Sequence, residues 1–186
     1  MNLFEIALIS LALAFNTSGI CLAAGYLLRK SETGFMLRFL FILVTTQLIF
    51  SFTGLLLGKV ISCIFPSAIQ WIALSLLVMM GLKILYQSLQ AKPEDWSFIT
   101  NELRVVIRLS LATSIDPFIV SAAIGFLAPT LPNTILVIGA TFLLFCSAWL
   151  IIGRIRGTAS FKLRLGTTGG LILLAAGLHL FLKLIR

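Results

Sequence analysis

Residues 6–28 read IALISLALAFNTSGICLAAGYLL: 23 positions without a charge, closed by Arg29-Lys30. A helix rises about 1.5 Å per residue, so a run of about 20 apolar residues crosses the roughly 30 Å hydrocarbon layer of a bilayer. The stretch is too long for the apolar core of a signal peptide. It also lacks the basic leader such a peptide needs, since the chain starts Met1-Asn2-Leu3-Phe4-Glu5. It therefore reads as a retained first span with its N-terminus outside.

The pattern recurs along the chain. Residues 39–58 lie between Arg38 and Lys59. Residues 60–82 are also uncharged but hold Pro66, which places the start of a third helix near Ala68 and its end near Leu89. From 109 to 153 the one charge is Asp116. That stretch is too long for one helix, and Ala128-Pro129-Thr130-Leu131-Pro132-Asn133 divides it. Spans at 104–127 and 134–153 follow. A last span at 165–183 comes after the basic loop 154–164. The composition agrees: 60% of the 186 residues are apolar and 11% charged, with a mean hydropathy of +1.13. A soluble domain carries about 45–50% apolar and about 25% charged residues. Soluble enzymes and disordered regulators are excluded, and the expected fold class is all-α: a polytopic membrane protein of six transmembrane helices.

The net charge of +8 is a topology signal. Loops 1–2, 3–4 and 5–6 share one side and hold Arg29, Lys30, Arg38, Lys83, Lys92, Arg104, Arg108, Arg154, Arg156, Lys162 and Arg164. The other side holds Lys59, Lys183 and Arg186. Positive residues collect in the cytoplasm, so both termini are expected outside. No basic run interleaved with aromatics exists for nucleic acid. Cys21, Cys63 and Cys146 stand far apart in apolar stretches and read as small buried hydrophobes, without zinc-ligand spacing.

The two halves resemble each other. At an offset of 100, Leu11-Ala12-Leu13-Ala14-Phe15-Asn16 lies over Leu111-Ala112-Thr113-Ser114-Ile115-Asp116, and Gly25-Tyr26-Leu27 over Gly125-Phe126-Leu127. At 95, Gly54-Leu55-Leu56-Leu57-Gly58-Lys59 lies over Trp149-Leu150-Ile151-Ile152-Gly153-Arg154, and at 96 Gly81-Leu82-Lys83 over Gly177-Leu178-His179. Three spans per half make the halves insert in opposite senses. The expected organisation is two inverted three-helix repeats, 1–89 and 104–186, joined by a cytoplasmic linker at 90–103. Inverted repeats with a midplane site are a transporter architecture.

Asp116 is the one acid deep within a span. A carboxylate there costs about 2.5–3.5 kcal/mol on insertion scales and is a functional candidate by default. Asp116-Pro117 reads as helix cap and first helical residue, so the fourth span is expected to break at 114–117 and bare backbone ligands. Asn16-Thr17-Ser18-Gly19 is the matching polar patch, with Gly19 as a second break point. Asn16 and Asp116 are expected to share a polar pocket near the midplane. Candidate binding residues are Asp116, Asn16, Gln47, Ser114, Thr113 and Thr17, with Asp116 and Asn16 as the metal-facing pair. Thr46, Ser51 and Thr141 suit helix packing equally well. Lys83 and His179 read as interfacial, and Gly169, Gly170 and Gly177 as packing residues.

At the two patches the chain resembles the MntP-type manganese efflux pumps, within the broader LysE-like transporter group. The motifs are Leu13-Ala14-Phe15-Asn16-Thr17 and Ala112-Thr113-Ser114-Ile115-Asp116-Pro117, similar to that family's L-A-x-x-M-D-A and A-T-S-I-D-A. Gln47, the segment Gly81-Leu82-Lys83-Ile84-Leu85-Tyr86, Gly153-Arg154 and Gly169-Gly170 extend the likeness over nearly the whole chain. Two departures stand out. Asn16 replaces the family's first acid, and Leu165-Gly166-Thr167-Thr168 stands where the family has an acid before the last glycine pair. Manganese prefers hard oxygen ligands, largely carboxylate, carbonyl and water.

The leading reading is thus a secondary transporter exporting a small cation, manganese(II) by resemblance, through a midplane site between helices 1 and 4. It is not an enzyme, needs no cofactor beyond the transported ion, and has the lipid bilayer and that cation as partners. The sequence leaves a homo-oligomer open. Alternatives are a LysE-like exporter of another small solute, a non-transporting membrane protein that keeps the fold, and a thiol electron carrier. The last is weakened because Ser121, not a cysteine, is the repeat mate of Cys21.

Overall fold

The computed structural model describes residues 3–28, 33–64, 69–90, 103–127, 131–156 and 161–185. They form six helices: α1 (Leu3–Leu27), α2 (Thr33–Ile64), α3 (Ile69–Gln90), α4 (Leu103–Leu127), α5 (Leu131–Arg156) and α6 (Phe161–Ile185). Among the described residues there is no strand. Each helix grows from one of the charge-poor runs, because a backbone without water must satisfy its N–H and C=O groups within its own segment.

Four of the helices, α1, α2, α4 and α5, are long and apolar enough to cross a membrane. In α3 and α6 the side chains described cover the apolar stretches 71–87 and 167–179. Helix α2 outruns the expected 39–58: its 32 residues carry Arg38 and Lys59 inside the helix. Long basic side chains reach back toward water along apolar stems, so a charge marks the membrane edge without ending the helix. The expected divider at 128–133 is shorter than read. Leu131, Pro132 and Asn133 belong to the first turn of α5, where a proline's missing N–H costs nothing. Pro66 and the 91–102 linker lie outside the described residues.

Helix α1 packs chiefly on α5 and α6, α4 on α2 and α3, and α3 on α6, so each half of the chain packs mainly against the other. Phe39, Phe142, Leu13, Leu43, Leu77, Ile124 and Leu173 fill the interior. Large apolar side chains such as Leu37, Phe41, Ile49, Trp71, Leu136 and Leu144 point outward. A surface of that kind suits acyl chains and is foreign to a protein bathed in water.

Glycines set the closest helix approaches. A Cβ at Gly54 would overlap the Phe118 carbonyl oxygen, and one at Gly58 that of Ala122, while one at Gly125 would overlap that of Leu55. On the other side of the bundle, Gly25 lies against the Leu150 carbonyl and Gly153 against that of Leu22. Small residues let backbones meet in this way where no hydrophobic effect drives helices together. Gly169 sits in the same manner on Ala12, Phe15 and Asn16, and Gly170 on Leu85. Cys21 and Cys146 are buried as expected, but Cys63 is exposed near the end of α2.

Candidate functional site

Asn16 and Asp116 each lie one residue past the middle of a 25-residue helix. Helices α1 and α4 bring them together: Asn16 Nδ2 donates to Asp116 Oδ2 at 3.3 Å. The second carboxylate oxygen, Oδ1, accepts from Lys83 Nζ of α3 at 2.5 Å. The pair is asymmetric in exposure, with the Lys83 side chain 41% exposed and that of Asp116 13%. Helix α2 supplies Gln47, which is fully buried and donates through Nε2 to Thr17 Oγ1 at 3.2 Å. Thr17 in turn donates to the Leu13 carbonyl. Helices α1, α3 and α4 thus meet at Asp116, and α1 and α2 meet at Thr17, the residue after Asn16.

Three buried oxygens have no hydrogen-bond partner among the described residues: Gln47 Oε1, Ser51 Oγ and Ser121 Oγ. Gln47 Oε1 belongs to a side chain already held by Thr17, so it is an oriented and available acceptor. A buried polar atom without a partner costs on the order of 1–3 kcal/mol, which makes such an atom a place to look for a ligand.

Ser114 and Thr113 are not brought to Asp116 by side-chain bonds. Ser114 Oγ donates to the Ser110 carbonyl, and Thr113 Oγ1 to those of Leu109 and Ser110. The expected break at 114–117 is absent: α4 is one helix from Leu103 to Leu127 with Pro117 inside it. Likewise α1 runs unbroken through Gly19. The sequence argument needed Asp116 to cap the helix behind it. Its carboxylate is instead taken by Asn16 and Lys83. With no water at that depth, the backbone keeps its own bonds wherever it can. One consequence of the proline remains, since Pro117 has no N–H to give the carbonyl of Thr113.

Lys83 is the residue that sequence reading misplaced. Counted as an interfacial loop charge, it is a partner of the deep carboxylate. The signal was present: Lys83 stands between Leu82 and Ile84 in a run with no other charge from 60 to 91, as Asp116 stands alone in its own. Two lone opposite charges in different spans tend to pair. His179 is exposed, in keeping with an interfacial place. Among the described residues no three His, Cys, Asp or Glu side chains gather as a metal cluster. One carboxylate is what this site offers.

Comparison with known proteins places the sequence in a family. Residues 30–181 match the model of a family described as "Putative manganese efflux pump". A protein of Methanothermobacter thermautotrophicus named "Putative manganese efflux pump MntP" is 33% identical over 183 residues, 98% of this chain and 97% of the relative. Proteins of the same name from Bacteroides fragilis and Ruminiclostridium cellulolyticum are 29% and 26% identical over 188 and 184 residues, each covering 98% of this chain and 97% of the relative. No solved structure matches the chain.

Proposed function

This chain belongs to the MntP family of manganese efflux pumps, membrane transporters, and from that premise we propose that it exports manganese(II) through a site between α1 and α4. The cell membrane it serves is the bacterial cytoplasmic one, with both termini outside and the loops 1–2, 3–4 and 5–6 in the cytoplasm. The observation that carries the site is the meeting of Asn16 and Asp116 halfway along their helices. Asp116 supplies the negative charge. Neutral oxygens come from Asn16 Oδ1, Gln47 Oε1 and the Thr113 carbonyl, a hard set suited to manganese. No nucleotide-binding motif is present in these 186 residues, so any energy for export comes from an ion or proton gradient, that of the cargo included.

The inverted-repeat reading is supported by the glycine contacts. Gly25 on Leu150 corresponds, at offsets of 100 and 95, to Gly125 on Leu55. Gly153 on Leu22 corresponds in the same way to Gly58 on Ala122. Exchange of the halves also turns the α1 contacts with α5 and α6 into the α4 contacts with α2 and α3.

The second reading, export of a singly charged organic cation, is favoured by the single carboxylate. Asn16 and the Leu165-Gly166-Thr167-Thr168 stretch leave a divalent ion short of neutralising charge. The deciding experiment expresses the protein in a bacterial host that lacks its own manganese exporter. Rescue from manganese, but not from zinc or cobalt, and its loss in Asp116→Asn, supports manganese export. An inserted protein that gives no rescue removes manganese as the cargo.

A further inference from the structure

Each oxygen of the Asp116 carboxylate has a partner on another helix: the Asn16 amide on Oδ2 and the Lys83 ammonium on Oδ1. We propose that Lys83 is a tethered substitute for the cargo cation, resting on Asp116 in the empty carrier and displaced from it when a cation enters. This rests on the cation-export reading above and gives the site its return step.

The argument begins with charge. An alternating-access carrier that moves cargo in one direction without a returning counter-ion must reset empty. A bare carboxylate at the midplane makes the empty passage costly. Paired with Lys83 the empty site is neutral, and that cost falls. The ammonium and a divalent ion cannot share the carboxylate, because two cations about 4 Å apart repel by about 4 kcal/mol per pair of unit charges even at an effective dielectric constant of about 20. Binding is therefore an exchange of one cation for another on Oδ1. Asn16, on the other oxygen, keeps the carboxylate oriented through the exchange.

Geometry permits the movement. The Lys83 side chain is three times as exposed as that of its partner, 41% against 13%. Its four-carbon stem is flexible, and among the described residues its point charge makes one bond, not a rigid fork. Lys83 also sits about two turns from the end of α3, whereas Asp116 is near the middle of α4. The ammonium thus reaches the carboxylate from the side of the basic loops, the side from which an exported cation comes. It has a route of withdrawal toward water on that side.

The test uses the full-length protein in liposomes, with manganese(II) chloride as the probe and alkaline buffer on both faces, where protons are too scarce to replace Lys83. Two fluxes are compared: net efflux into metal-free medium, which needs the empty carrier to return, and manganese–manganese exchange, which does not. The parent should show both. Lys83→Met should bind manganese more tightly, by about tenfold if Lys83 occupies Asp116 nine-tenths of the time. It should keep exchange and lose most net efflux, while Lys83→Arg keeps both fluxes. Lys83→Gln gives the same reading should the methionine variant fail to insert. Equal loss of both fluxes in the neutral variants, or unchanged affinity and net efflux, overturns the role of Lys83 alone. A parent that exchanges no manganese overturns the cargo assignment, and this inference with it.

Discussion

Asn16 and Asp116 stand 100 residues apart in the chain and 3.3 Å apart in the fold, each at the middle of its helix. The amide fixes one oxygen of the carboxylate, and the charge is left to meet a cation at the other. The proposed site is thus a single negative charge with a neutral amide on one oxygen and the Lys83 ammonium on the other, and its chemistry should respond sharply to any change in that charge.

Asp116→Asn removes the charge and keeps the shape. Transport should be abolished, a fall of at least about 100-fold, because a carboxylate contact with a cation at this depth is worth several kcal/mol. The protein should still insert. Manganese efflux from loaded liposomes, read beside the amount of inserted protein, measures this. Efflux at the parental rate would remove Asp116 from the site.

Asn16→Asp places a second carboxylate next to the first. Manganese affinity should rise at least about tenfold, since the added charge and the second hard ligand both favour a divalent ion. Calorimetry in detergent on the variant and the parent reads the difference. Equal affinities would mean that the two positions do not act on one ion.

Gly25→Ala, Gly125→Ala, Gly58→Ala and Gly153→Ala each drive a methyl group into a facing carbonyl oxygen. Helices must part, at a cost of about 1–3 kcal/mol typical of overpacking. Gly34→Ala is the control, because a Cβ there meets no atom within 4 Å. Reversible unfolding in mixed detergent should rank the four well below the control, which should match the parent.

Gln47→Leu removes the donor to Thr17 and the free Oε1 together. Interhelical side-chain bonds in membranes are worth about 0.6 kcal/mol on average and up to about 1.7. Stability should fall within that range. Manganese affinity should fall further than in Thr17→Val, which keeps the Gln47 oxygen. Titrations of the two variants distinguish a ligand from a helix clasp.

Cys63 is exposed near the C-terminal end of α2, the end that the proposed topology turns outward, while Cys21 and Cys146 are buried. A membrane-impermeant maleimide added to intact cells should label Cys63 alone. Labelling only after the cells are opened would invert the topology drawn from the basic loops.

Six helices, their approximate spans and the two polar patches were legible in the sequence because each depends on local composition. An uncharged run of about 20 residues has few options in a bilayer, and a lone Asp in such a run calls for a partner. The likeness at an offset of 100 also named Asn16 as that partner before any coordinates. Three things were decided only in three dimensions. Pro117 does not break α4, because the capping carboxylate it required is bound by neighbouring helices. Gly54 and Gly58 meet the α4 backbone, and Gly25 and Gly153 lie in the α1–α5 contact, which no single helix can specify. Lys83 pairs with Asp116, although counting by loop placed it with the cytoplasmic cluster. Local hydrophobicity fixes what enters the membrane; which charges then neutralise one another depends on helix-to-helix distances of a few ångströms, and those exist only once the bundle has closed.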